Sequence, residues 1–187
     1  MHYRLESNQL LYIGLRDIDA PELKFIKELN IPYFTMHDVR RLGIGSVMET
    51  TLRTIGRFCP NCQIHLSFDI DGIDPKYAPS TGTPVPGGLS LEEAKYICKT
   101  LGQTADSPLV EVSSDLSKVA DVEIGGLQGL RIPSFSQRWP IIPSTGHLGR
   151  LKSMVVAEVN ASLGSVEEAK TTLRAALEII KSALLVD

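Results

Sequence analysis

The chain alternates between two hydrophobic rhythms. Short apolar, β-prone runs stand at 10–15 (LLYIGL), 31–36 (IPYFTM), 63–70 (QIHLSFDI) and 154–160 (MVVAEVN). Their lengths suit strands. Between them, apolar residues recur three and four positions apart, as Leu23, Phe25, Ile26 and Leu29 within 20–30 and as Val47, Met48, Leu52 and Ile55 within 45–58. Side chains at that spacing share one helix face, so both stretches predict amphipathic helices. Two further helices are marked by their first turns. Ser90 with Glu93 opens a helix over 90–101, and Ser165 with Glu168 opens one over 166–185. The Ser-x-x-Glu spacing lets each side chain satisfy a backbone N–H of the other's residue. Strands alternating with helices predict right-handed crossovers and an α/β protein with a mainly parallel sheet carrying helices on its faces. Ligands of such sheets bind beyond the C-terminal ends of the strands.

One segment breaks the rhythm. Residues 103–152 are rich in Ser, Gly and Pro, with only brief apolar runs such as LVEV at 109–112. A loop of that length is uncommon inside a compact domain. It is therefore expected to be an insertion or an irregular segment, leaving 1–102 and 153–187 as the organised part of the chain.

Composition changes this picture little. The chain has 187 residues, a net charge of −3, 43% hydrophobic and 22% charged residues, which suits an ordinary globular protein. Scattered Lys and Arg form no basic stripe, so neither nucleic acid nor an anionic membrane surface is an expected partner. No apolar run is long enough to span a bilayer, and the start MHYRLESNQL lacks a signal-peptide pattern, which gives the expectation of a cytoplasmic protein. Cys59 and Cys62 form a single C-x-x-C without a second pair, so a reduced loop is the plainer reading against a redox or zinc role.

The candidate chemistry lies in SFDIDGIDP, 67–75, which places Asp69, Asp71 and Asp74 at the end of a strand. In an extended strand Asp69 and Asp71 would face the same way, with Cα atoms roughly 6.6 Å apart. Two carboxylates converging there repel one another unless a cation or proton compensates, and hard divalent ions take such oxygens readily. The competing reading is a polar turn, with D-G and D-P as turn dipeptides.

The longer stretch LSFDIDGIDPKYAPSTGTPVPGGLS resembles a signature of the arginase family of manganese-dependent ureohydrolases. YIGLRDIDAPE (12–22), YFTMHDVRRLGIGSVMETTL (33–52) and AEVNASLGSVEEA (157–169) agree with the family in the same order. The resemblance implies a three-layer α/β/α fold, here truncated and lacking the family's N-terminal half. It also implies two manganese ions bridged by a hydroxide that attacks the guanidinium carbon of L-arginine, giving L-ornithine and urea. By motif, Asp69 and Asp71 match metal ligands, while Asp19 and Glu22 match carboxylates that recognise the substrate's α-amino end. Thr83 matches a threonine near the reacting group, and Glu158 matches the glutamate that anchors the guanidinium. Glu158 also sits in an otherwise apolar strand, where a buried carboxylate requires a partner; the alternative is a strand-end Glu facing solvent. For Asp19 and Glu22 the alternative is helix N-terminal capping, and for Thr83 a turn.

His2, His37, His65 and His147 match none of the family's histidine roles, and no D-x-H-x-D motif occurs. With only Asp69 and Asp71 matching metal ligands, at most a partial manganese site is expected, and the chain is not expected to complete the reaction alone. Glu111, in the weak echo PLVEV, competes for the role given to Glu158. Three functional readings follow: an arginase-like hydrolase acting on a small guanidino substrate, an agmatinase-type ureohydrolase, and a non-catalytic fragment that associates with a full-length subunit. A homo-oligomer is compatible with each.

Overall fold

The computed structural model describes residues 5–59, 61–104, 119–120, 132–133 and 150–186. The expectations attached to Glu111, His2 and His147, and most of the segment 103–152, lie outside the described residues. Two compact units emerge, the first containing 5–59 with the pair 119–120 and 132–133, the second containing 62–104 and 150–186.

In the first unit, strand β1 (Tyr12–Leu15) pairs in parallel with β2 (Tyr33–Thr35) across helix α1 (Ala20–Glu28). Helices α2 (Met36–Leu42) and α3 (Ile44–Phe58) follow. Strands β4 (Val119–Ala120) and β5 (Ile132–Pro133) form an antiparallel pair. The sequence rhythm places β1, α1 and α3 within a few residues of these bounds, but it runs the second strand through Met36, where α2 in fact begins. Thr35 is the reason: its hydroxyl accepts from Asp38 N–H at 3.2 Å while its own N–H donates to Asp38 Oδ2 at 2.9 Å, a capping box that ends the strand at once. In α3 the buried residues include Val47, Met48, Thr50, Thr51 and Thr54, whereas Leu52 and Ile55 are only half-buried. Packing has turned the helix part-way toward its threonines, keeping Val47 and Met48 of the predicted stripe buried and leaving Leu52 and Ile55 at its margin.

The second unit is built on β3 (Ile64–Asp69) and β6 (Leu151–Ala157), paired in parallel with Asp69 opposite Ala157. Helices α4 (Leu91–Gly102) and α5 (Val166–Leu184) complete it. Both helices start as the sequence predicts, with Ser90 Oγ accepting from Glu93 N–H at 3.2 Å and Ser165 Oγ from Glu168 N–H at 3.3 Å. Phe68, Ile70, Ile73, Ala94, Cys98, Ala176 and Ile179 form the core, with Leu66, Met154 and Val156 packed against it from the strands. Strand side chains alternate faces, so the other face of this pair carries His65, Ser67 and Asp69 with Ser153 and Val155, all exposed. Parallel strands are usually covered on both faces, and Val155 at 48% exposure is an apolar residue in that bare position.

The segment that broke the rhythm has its two ends side by side. Arg150 N–H donates to Thr104 O at 2.9 Å, and Ile64 N–H donates to Arg150 O at 2.7 Å. The chain thus enters β6 beside the place where it left α4. β6 also begins at Leu151, two residues before the boundary expected at 153.

Candidate functional site

Asp69 is the last residue of β3 and is exposed; its carboxylate makes no hydrogen bond or ion pair among the described residues. Asp71 lies beyond the strand, in a single 3-10 turn over Ile70–Gly72, and is half-buried. The expectation of two aspartates on one extended strand is therefore corrected. The ladder stops because its partner strand β6 stops at Ala157, and the chain turns as soon as it has no neighbour to pair with.

Asp74 shapes the turn that follows. Its Oδ1 accepts from Lys76 N–H at 3.0 Å and its Oδ2 from Gly87 N–H at 2.7 Å, so one side chain ties both arms of the loop 74–87. Behind it, Asp74 N–H donates to Leu89 O at 2.9 Å and Leu89 N–H to Gly72 O at 3.0 Å. A methyl group on Gly88 would lie 2.7 Å from Gly72 O, Ile73 C and Asp74 N, which is why only glycine fits between these segments.

Glu158 follows directly on β6 and departs from the sequence expectation. It is exposed, not buried in a strand, and its φ of 62° is left-handed. For a non-glycine residue that conformation costs about 1 kcal/mol or more, so the surroundings must impose it. They do so by lashing the next residues to the loop 80–82. Thr81 bridges Val159, Asn160 N–H donates to Ser80 O at 3.2 Å, and Ser80 Oγ donates to Asn160 O at 2.6 Å. Ser80 is anchored in turn from α5, its N–H donating to Thr172 Oγ1 at 2.8 Å.

The result is a carboxylate beside Gly82, where an added Cβ would stand 3.3 Å from Glu158 Oε2. Like Asp69, Glu158 has no hydrogen-bonding or ionic partner among the described residues. Thr83 is exposed one residue beyond Gly82, and the buried hydroxyl of Thr81 has no hydrogen-bond partner among the described residues. Sequence reasoning overlooked Ser80, Thr81 and Gly82. A glycine between two threonines was the available signal, because a side chain there would crowd the carboxylate of Glu158.

The second unit thus brings Asp69, Asp71, Thr83 and Glu158 to the C-terminal end of one parallel strand pair. Asp69 and Glu158, carboxylates without a hydrogen-bonding or ionic partner among the described residues, suit a cation at such an end. Among the described residues, however, no group of three or more His, Cys, Asp or Glu side chains is arranged to hold a metal ion. Asp69 and Asp71 can contribute to a hydrated hard cation, but these residues do not fit a bridged metal pair.

Asp19 and Glu22 lie in the first unit. Left-handed Asp17, with φ 51°, turns the chain out of β1, and Asp19 becomes the N-cap of α1 with Pro21 in the first turn. Asp19 N–H donates to Glu22 Oε2 at 3.4 Å, so the capping alternative is realised for this pair.

An arginase-family profile matches residues 2–124, more than half of the chain. The chain belongs to the arginase family. Among curated family proteins, the arginase of Emericella nidulans is 48% identical over 120 residues, covering 63% of this chain and 36% of its own length. An arginase of Schizosaccharomyces pombe is 37% identical over 182 residues, covering 96% of this chain and 42% of its own length. Of solved structures, Entamoeba histolytica arginase in complex with L-ornithine aligns with a TM-score of 0.65 at 28% identity, over 95% of this chain and 43% of that one. The chain therefore has the arginase fold, and it spans less than half the length of these relatives. Among the described residues no helix is long and apolar enough to cross a membrane.

Proposed function

We propose that this chain carries the guanidinium anchor and a manganese half-site of an arginine hydrolase, whose reaction converts L-arginine to L-ornithine and urea. The observation that supports this most directly is Glu158. A left-handed, exposed carboxylate without a hydrogen-bonding or ionic partner among the described residues, held beside Gly82 at a strand end, is costly to maintain and suits a planar guanidinium that donates two parallel hydrogen bonds. In this reading Asp69 and Asp71 ligate manganese, whose part in the chemistry is to activate water. Thr83 lies near the reacting group, and Asp19 and Glu22 recognise the α-amino end. Residues 103–150 are an insertion between α4 and β6, a reading supported by the hydrogen bond joining Arg150 to Thr104.

With two metal-binding carboxylates the chain alone binds manganese weakly and does not sustain turnover. Manganese binding followed by electron paramagnetic resonance, together with ornithine and urea release from arginine, tests both parts. Binding that weakens in Asp71→Ala, with no turnover, is expected. Absence of manganese binding overturns the half-site, and turnover by the isolated chain overturns its incompleteness. Agmatine in place of arginine separates the agmatinase reading, since it lacks the α-carboxylate.

A second reading, association with a longer arginase-family chain, is favoured by the bare face of the β3–β6 pair and its exposed Val155. Co-elution with a full-length arginase that is lost in Val155→Lys supports it, and separate elution at micromolar concentrations rules it out.

A further inference from the structure

A concavity lies in the same unit as Glu158 but is built from different residues. Its volume is about 190 Å³, and it is lined by the turn residues Lys76 and Tyr77, by Leu91 at the start of α4, and by α5. On α5 the lining residues are Thr171, Arg174, Ala175 and Glu178, spaced three and four apart and therefore on one helix face.

Its charges are unbalanced in a specific way. Arg174 makes no hydrogen bond or ion pair among the described residues, and the Lys76 ammonium has only the Tyr77 ring, 5.3 Å away. The one carboxylate in the lining, Glu178, is already engaged by Lys95 at 3.7 Å. Lys95 in turn also meets Glu92 at 3.4 Å. Two cations without carboxylate partners among the described residues thus border the concavity, while its acid is engaged by Lys95. The rest of the lining is apolar: Leu91 and Tyr77 pack against the hydrophobic core, and Ala175 is 2% exposed.

We propose that this concavity binds a small organic monocarboxylate. The carboxylate lies between Lys76 and Arg174, where a guanidinium and an ammonium offer charge-assisted hydrogen bonds. The apolar body lies on Leu91, Tyr77 and Ala175. At about 30 Å³ per water the space holds roughly six waters, room for a single ring and its carboxylate. Glu178 disfavours a second negative charge, so a phosphate dianion without an apolar body is a poor occupant. This site is independent of the hydrolytic reading, since none of its residues belongs to that machinery.

The test is a ¹H–¹⁵N correlation NMR titration of the whole chain with sodium benzoate. Inorganic phosphate and benzyl alcohol serve as the charge-only and ring-only arms. Saturable shifts of Lys76, Tyr77 and the amides of 171–178 are expected with benzoate, weakened at least about fivefold in Lys76→Gln/Arg174→Gln, a change that removes both cations of the lining and leaves Glu178. Phosphate and benzyl alcohol are expected to bind less tightly. The proposal is overturned by no shift up to ~20 mM benzoate, far above the affinity a specific small-ligand site should show. It is also overturned by equal binding to the double variant, or by either control binding as tightly as benzoate. Both substitutions are at exposed positions, and unchanged dispersion of the remaining resonances verifies that the fold is retained.

Discussion

Gly88→Ala tests whether the turn behind Asp71 is as tightly built as its geometry implies. The added methyl carbon would lie 2.7 Å from three backbone atoms, Gly72 O, Ile73 C and Asp74 N, whereas ordinary contact begins at 3.4 Å. All three belong to main chain, so no side chain can rotate away, and one strand of the turn must move by about 0.7 Å. That displacement strains the Asp74 N–H to Leu89 O and Leu89 N–H to Gly72 O hydrogen bonds, now 2.9 and 3.0 Å. Overpacking costs about 1–3 kcal/mol, and weakening two buried hydrogen bonds adds about 0.5–1.5 kcal/mol each, so a loss of about 2–6 kcal/mol is expected. Urea denaturation followed by circular dichroism measures it. Gly72→Ala is the control, because a methyl there meets nothing within 4 Å and should change stability by less than about 0.5 kcal/mol. A Gly88→Ala loss below about 1 kcal/mol at an unchanged denaturant slope would refute the reasoning.

Three further outcomes are expected. Ser90→Ala removes the hydroxyl that accepts from Glu93 N–H at 3.2 Å, and should lower stability by about 1 kcal/mol in the same denaturation assay, with Ser90→Asp restoring most of it. Burial alone would raise the Asp38 carboxyl, but hydrogen bonds from the Thr35 side chain and backbone, with the Arg41 charge, outweigh it and hold the group below its ordinary 3.8. A depressed carboxylate stabilises the fold above the unfolded value and loses that contribution as pH falls through the lower folded value. The stability gap between wild type and Asp38→Asn should therefore persist down to about pH 3.8 and close below it in acid titrations. Burial pushes the Cys98 thiol up to about 12, whereas Cys59 and Cys62 are half-exposed. Iodoacetamide at pH 8 should label Cys59 and Cys62 in the native protein and reach Cys98 only after denaturation, as read by peptide mass spectrometry.

Much of the secondary structure is local and was legible in the sequence. The Ser90–Glu93 and Ser165–Glu168 boxes need only four consecutive residues, so they name their helix starts wherever the helices pack. The parallel pairing of strands separated by helices likewise follows from alternation along the chain. Thr35 and Asp38 carry the same kind of local signal, and reading the strand through Met36 obscured it. Asp74 as a turn former was also legible, because its two carboxylate oxygens serve backbone N–H groups within thirteen residues.

The candidate site depended on tertiary structure for its geometry. Motif resemblance selects Asp69, Asp71, Thr83 and Glu158, but no pattern in 67–75 reveals that the strand ends at Asp69, since its end is set by β6, more than eighty residues later. Nor does the apolar run 154–160 reveal that Glu158 is left-handed and exposed. That conformation is imposed by the Thr81–Val159 bridge and by Ser80, itself held from α5. Sequence by itself determined the family, the helix starts and which carboxylates to consider. Tertiary structure decided where the strands stop and how Glu158 is presented, because a strand persists only while a neighbour satisfies its N–H and C=O groups, and those neighbours are distant in the chain.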